Sequence, residues 1–197
     1  VDQLQKQGFA LGGFNMVLDG NVPIGAGMSS SAAVECATAM ALSELFSLDL
    51  SKLDIVKAAQ SAEHNFAGVK CGIMDMFASV FGKKDHAIKL DCRSLEYEYI
   101  PFAFDDTAIV LFDTSIKHSL ASSEYNVRRQ QCETGVAMIQ QYHPEISSLR
   151  DATMKMLNQY VAHDTIVYSR CSFIVAEIQR LQDACNDLQH GDIQSFG

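Results

Sequence analysis

The sequence has no tryptophan and only three prolines among its 197 residues. It also lacks any apolar run near the ~20 residues that a membrane-spanning helix needs, which argues against a membrane protein. Basic residues are scarce, since 15 Lys and Arg face 24 Asp and Glu for a net charge of -9. A nucleic-acid partner is therefore not expected, because binding a phosphate backbone requires clustered Lys and Arg. The expected partners are small molecules.

Paired metal-binding motifs are missing as well. The six cysteines contain no Cys-x-x-Cys pair, and the six histidines show no metal-ligand spacing. The cysteines are typical of buried free thiols in a reducing cytoplasm, and the histidines of surface or capping residues. The chain starts at Val1 with neither an initiator methionine nor a leader, and at Gly197 a new helical pattern is just beginning. We interpret both ends as cut.

Apolar periodicity predicts a strand at 15–22 that feeds a glycine turn and then a nearly fully buried helix at 30–46. A second helix is predicted to open at Ser51, with Asp54 as its capping-box partner, and to end at Gly68. Strands are also predicted at 87–91 and 96–102, which should pair through a turn at Arg93-Ser94, and at 108–112. The remaining predicted helices are at 72–81, 123–139, 149–161 and 165–188. The chain is therefore expected to be α+β, with a domain division near 102–107.

The most informative stretch is Pro23-Ile24-Gly25-Ala26-Gly27-Met28-Ser29-Ser30-Ser31-Ala32-Ala33. Its two glycines permit positive φ and keep side chains away from a ligand. The serines fall at an expected helix start, where unpaired N–H groups and the helix dipole favour an anion such as a triphosphate. A plain glycine turn with a serine cap before an ordinary helix is the alternative interpretation.

This loop resembles the ATP-binding motif of the GHMP small-molecule kinases, and no Walker-type Gly-Lys-Ser/Thr accompanies it. Further motifs resemble the galactokinases of that superfamily in order and spacing: Cys71-Gly72-Ile73-Met74-Asp75, Asp91-Cys92-Arg93-Ser94-Leu95 and Ser123-Glu124-Tyr125-Asn126. The resemblance runs from about residue 11 to 197. It implies a two-domain GHMP-kinase-like fold truncated at both ends, with 1–103 in the N-terminal domain and 107–197 in the C-terminal domain.

The resemblance also implies ATP-dependent phosphorylation of the anomeric hydroxyl of galactose, with Mg²⁺ as cofactor. Asp75 would be the catalytic base or an orienting acceptor, Gly72 and Tyr125 would join it in binding the sugar, and Ser31 and Glu63 would hold Mg²⁺. The implied ATP-binding residues are Gly25, Ala26, Gly27, Met28, Ser29, Ser30 and Ser31. The residues alone favour other interpretations: Asp75 as a first-turn helix charge, Glu63 as an acid near a helix end, and Tyr125 as a half-buried helix tyrosine.

Two departures from the family pattern qualify the expected activity. Met76 stands where the galactokinases usually have glutamine. The family's N-terminal arginine and Glu-His-x-Asp sugar motif, and its later glycine loop, are not found in the chain. We therefore expect the 197 residues alone to be inactive, to expose apolar surface, and either to self-associate or to be unstable. The alternatives are a non-catalytic sugar or nucleotide sensor and a kinase for a related sugar.

Overall fold

The computed structural model describes residues 1–102, 108–112 and 121–196, and side chains in the last range from 124 onward. Its contacts divide the chain into two compact units, Val1–Ser122 and Ser123–Gly197. The division predicted at 102–107 lies almost entirely outside the described residues, and the two expected domains, 1–103 and 107–197, stay a prediction.

The described elements make the chain α+β, as predicted. The helices are α1 (Asp2–Lys6), α2 (Ser30–Leu45), α3 (Lys52–Ala62), α4 (Met74–Phe81), α5 (Ala121–Gln140), α6 (Met154–Tyr160), α7 (Thr165–Gln189) and α8 (Ile193–Phe196). The strands are β1 (His86–Leu90) and β2 (Tyr97–Pro101), and a short π-helix (Glu63–Ala67) continues directly from α3. The predicted helix at 149–161 is therefore shortened at its start, because Thr153 caps α6 by accepting a hydrogen bond from the Met156 amide.

The core of the first unit lies where α2, α3 and α4 meet. Val56 of α3 and Phe77 of α4 are buried there beside Ala32 and Cys36 of α2. A hydrogen bond from Cys36 Sγ to the Met76 carbonyl, at 3.8 Å, connects α2 to α4. The start of α2 is thus fixed next to the start of α4.

The expectation that α2 is nearly all buried is wrong. Its buried residues are Ala32, Cys36, Ala39, Leu42 and Ser43. Val34, Met40 and Leu45 are exposed at 45 %, 46 % and 62 %. Because α2 is apolar around most of its circumference, the sequence could not indicate which face would pack on α3 and α4.

The helix predicted at Ser51 forms with its capping box. Ser51 Oγ accepts a hydrogen bond from the Asp54 amide at 3.1 Å, and Asp54 Oδ2 accepts one from the Ser51 amide at 3.0 Å. Gly68 closes the π-helix in a left-handed conformation with φ 73°. Short π-helical segments within helices are frequent at functional sites, and Glu63 is the first residue of this one.

β1 and β2 form the predicted antiparallel hairpin, with His86 opposite Pro101 and Leu90 opposite Tyr97. The strand predictions at 15–22 and 108–112 are wrong, since both segments are irregular. A strand needs a neighbour to satisfy its backbone hydrogen bonds, and among the described residues the only sheet is the two-stranded hairpin.

The second unit is helical and packs around a core of its own. Ile139 from α5, Leu157 from α6 and Cys171 from α7 are fully buried in it. Asp164 caps α7 by accepting hydrogen bonds from the amides of the second and third residues after it, at 3.1 and 3.0 Å. The periodicity thus predicted α5 and α7 correctly.

Gly135 on α5 is the tightest packing point of this core. A Cβ there would lie 2.3 Å from Cys171 Sγ and 3.2 Å from Val167 Cγ1. Gly135→Ala should destabilise the chain, because overpacking a core costs ~1–3 kcal/mol while alanine recovers only ~1 kcal/mol of helix propensity. Urea unfolding followed by far-UV circular dichroism measures the change.

Cys171→Ala provides the control for this prediction, because it removes the sulfur that the new methyl would meet. The double variant Gly135→Ala/Cys171→Ala should be more stable than the sum of the two single changes predicts. An unchanged or raised unfolding midpoint in Gly135→Ala alone would contradict the packing argument.

Candidate active site

The glycine loop adopts the backbone conformation that its sequence predicts. Gly25 and Gly27 have φ values of 80° and 75°, in the left-handed region that favours glycine. A Cβ added at either glycine would meet no atom within 4 Å. The loop is therefore an open cradle, and a side chain at these positions would project into the space available to a ligand.

The serine cap of the alternative interpretation does not form at Ser29. Ser29 occupies the N-cap position of α2 with φ 55°, and its side chain makes no capping hydrogen bond. The first backbone bond of the helix runs from the Ala33 amide to the Ser29 carbonyl at 3.1 Å. The first turn of α2 thus keeps amide groups that an anion could bind, and the helix dipole favours such an anion.

The segment before α4 is tied to the helix that precedes it. The Cys71 carbonyl accepts a hydrogen bond from Gln60 Nε2 at 3.3 Å and lies 2.8 Å from His64 Nε2. His64 is half-buried. These contacts position Gly72, which is exposed, and Asp75, which lies half-buried in the first turn of α4.

Two glutamates meet beside this segment. Glu63 is only 8 % exposed, and the Oε2 atom of Glu35 on α2 is buried without a hydrogen-bond partner in the described part of the chain. Burial, and after it the charge of Glu63, raises the pKa of Glu35 to about 7. The carboxylates of Glu35 and Glu63 therefore lie close together where little water reaches them.

The Cys71 thiol lies near three acidic residues. Burial raises its pKa, and the charges of Glu63, Asp75 and Glu35 add to that effect in this order. One side chain thus feels three carboxylates that come from α2, the π-helix and α4. Sequence reasoning missed Glu35, although its spacing of four residues from Ser31 places both on one face of α2.

The other predicted site residues are positioned as follows. Tyr125 lies on α5 in the second unit and is 45 % exposed. Met76 is 2 % exposed, so its side chain belongs to the core of the first unit. Among the residues that the structure describes, no three His, Cys, Asp or Glu side chains are arranged to bind a metal by themselves. None of the helices in the described ranges has the length and apolar character needed to cross a bilayer.

Comparison with known proteins bears on the glycine loop directly. The family model described as "GHMP kinases N terminal domain" matches residues 1–83. The GHMP kinase match includes the glycine loop, α2, α3 and Glu63, and it confirms the resemblance inferred from the loop.

Galactokinases resemble the chain over its whole length. The chain is 42 % identical over 197 residues to the galactokinase of Thermotoga maritima and 41 % identical over 200 residues to that of Thermosipho africanus. It covers 54 % of each, so it spans about half the length of these curated relatives. The predicted similarity to galactokinases is thereby confirmed.

A solved structure of a galactokinase is also similar to the chain. The crystal structure of Lactococcus lactis galactokinase complexed with galactose matches with a TM-score of 0.87 and 29 % identity, over 100 % of this chain and 51 % of that one. The predicted fold class is confirmed by this match.

Proposed function

We propose that this chain is the part of a galactokinase that binds ATP and orients the reacting hydroxyl, in a reaction that transfers the γ-phosphoryl group of ATP to the anomeric hydroxyl of galactose. The open glycine cradle at the start of α2 is the observation that carries this proposal. The similarity to galactokinases across all 197 residues supports the choice of sugar. ATP as co-substrate follows from the GHMP kinase family.

The loop would bind the phosphates through backbone groups. Gly25 and Gly27 leave room for the phosphates, and the first-turn amides of α2 would donate hydrogen bonds to them. The implied set, Gly25, Ala26, Gly27, Met28, Ser29, Ser30 and Ser31, is continuous along the turn and the helix start. Since the chain as a whole carries a net charge of -9, the positive field of the α2 dipole and first-turn amides would have to attract the anionic nucleotide locally.

Mg²⁺ fits the residues that would hold it. The Ser31 hydroxyl and the Glu63 carboxylate are the hard oxygen donors that Mg²⁺ prefers, with phosphate oxygens and water completing its coordination. Glu63 is buried, and no lysine or arginine forms an ion pair with it among the described residues. When bound, the cation neutralises charge on the phosphates during transfer.

Asp75 would act on the sugar. A half-buried carboxylate in the first turn of α4 can accept the proton of the attacking hydroxyl, or orient that hydroxyl by accepting its hydrogen bond. Gly72 would contact the sugar through its backbone and Tyr125 through its phenol hydroxyl. Because the chain covers 54 % of its relatives, we expect the isolated 197 residues to bind ATP, to turn over no galactose and to self-associate through exposed apolar side chains such as Val34 and Met40.

A chimera tests the function. Residues 1–197 replace the matching segment of Thermotoga maritima galactokinase, and ATP consumption is measured with galactose and with other hexoses. Phosphorylation of galactose at ~1–100 s⁻¹, typical of kinases, supports the proposal. A folded chimera that binds ATP and galactose without turnover would support the sensor alternative instead. Faster phosphorylation of another hexose would show that the chain belongs to a kinase for that sugar.

A further inference from the structure

Glu35 is a half-buried acidic residue that the proposed mechanism does not yet use. It lies on α2 one turn after Ser31, so the two side chains share a face of that helix. Its Oε2 atom is shielded from solvent and has no hydrogen-bond partner within the described ranges. Burying a carboxylate oxygen without a partner is costly, and such an atom calls for a compensating ligand.

Glu63 supplies the second observation. Its side chain is 8 % exposed and lies close enough to Glu35 for the two charges to repel each other. In the part of the chain that the structure describes, neither carboxylate has an ion-pair partner. Two carboxylates held close together in this way destabilise the fold unless one of them is protonated or a cation binds to both.

We propose that Glu35 contributes a third protein oxygen to the divalent-cation site formed by Ser31 and Glu63. This inference rests on the proposed function, since it takes the cation to be the one that accompanies ATP. Two carboxylates and one hydroxyl leave coordination positions for phosphate oxygens and water, which suits Mg²⁺. Glu35 also connects the cation to α2, whose first turn would bind the same nucleotide.

The experiment measures ATP affinity by calorimetry on the 197-residue chain, first without metal and then with Mn²⁺ as the probe. In Glu35→Gln, Mn²⁺ should improve ATP affinity about tenfold less than it does in the unaltered chain, as is typical when a residue that supports a metal site is lost. ATP without metal should bind Glu35→Gln at least as tightly, because one negative charge near the phosphates is gone. If Glu35 had only a structural role, Glu35→Gln would not weaken ATP binding with Mn²⁺ while leaving ATP binding without metal unchanged or tighter.

Matched variants separate the possible outcomes. Glu44→Gln removes an exposed charge from the same helix and should leave both affinities unchanged. Glu63→Gln should reduce the Mn²⁺ effect, and the double variant Glu35→Gln/Glu63→Gln should lose less than the sum of the two. A normal Mn²⁺ effect in Glu35→Gln beside a reduced one in Glu63→Gln would overturn the role of Glu35 and leave the proposed function standing. If the unaltered chain binds no ATP with or without Mn²⁺, the proposed function fails, and the role of Glu35 fails with it.

Discussion

Asp75→Asn in the galactokinase chimera should lower turnover by roughly 10²–10⁴-fold, the usual contribution of a general base. Asparagine keeps the shape of the side chain and removes its charge, so it can no longer accept the proton of the sugar hydroxyl. Asp75 is half-buried and does not belong to the core. Met76 and Phe77, which are 2 % and 1 % exposed, hold α4 in the core instead. The fold should therefore survive the change.

Turnover, ATP affinity and the unfolding midpoint of Asp75→Asn should be measured on the same preparation. ATP affinity should stay within a few fold of the parent chimera, because the proposed phosphate contacts come from the glycine loop. Asp85→Asn is the matched control, since Asp85 is an exposed aspartate with φ 59°, a conformation that asparagine tolerates. Near-normal turnover in Asp75→Asn would reduce Asp75 to a charge at the start of a helix.

Gly27→Val should abolish measurable ATP binding by the 197-residue chain. Valine at φ 75° is strained by ~1–2 kcal/mol, and its side chain would occupy the open cradle. The fold should lose little more than that strain, because a Cβ at Gly27 meets no atom within 4 Å. The effect should therefore fall on binding far more than on stability.

Calorimetric titration with ATP measures the loss, and circular dichroism checks the fold. Gly13→Val is the control: a Cβ there also meets nothing within 4 Å, and Gly13 does not have a positive φ. It should bind ATP as the unaltered chain does. Retained ATP affinity in Gly27→Val would make the loop an ordinary turn before a helix, which is the interpretation that the sequence alone left open.

Local interactions explain what the sequence could predict. The capping box of Ser51 and Asp54, the end of the π-helix at Gly68 and the hairpin around Arg93 all depend on neighbours within a few residues. The glycine loop belongs with them, because positive φ at Gly25 and Gly27 is a property of glycine itself. The roles of Gly72, Asp75 and Tyr125 came only from the resemblance to galactokinases and stay predictions.

Only the tertiary structure decided the features that depend on distant partners. The segments at 15–22 and 108–112 have the alternation of strands, yet strands form only where another strand satisfies their backbone hydrogen bonds. The sequence determined that α2 is an apolar helix, whereas its packing on α3 and α4 determined which face is buried. Glu35 is read as an ordinary helix charge until that packing brings Glu63 beside it, because the repulsion between two carboxylates depends on their distance in space and not along the chain.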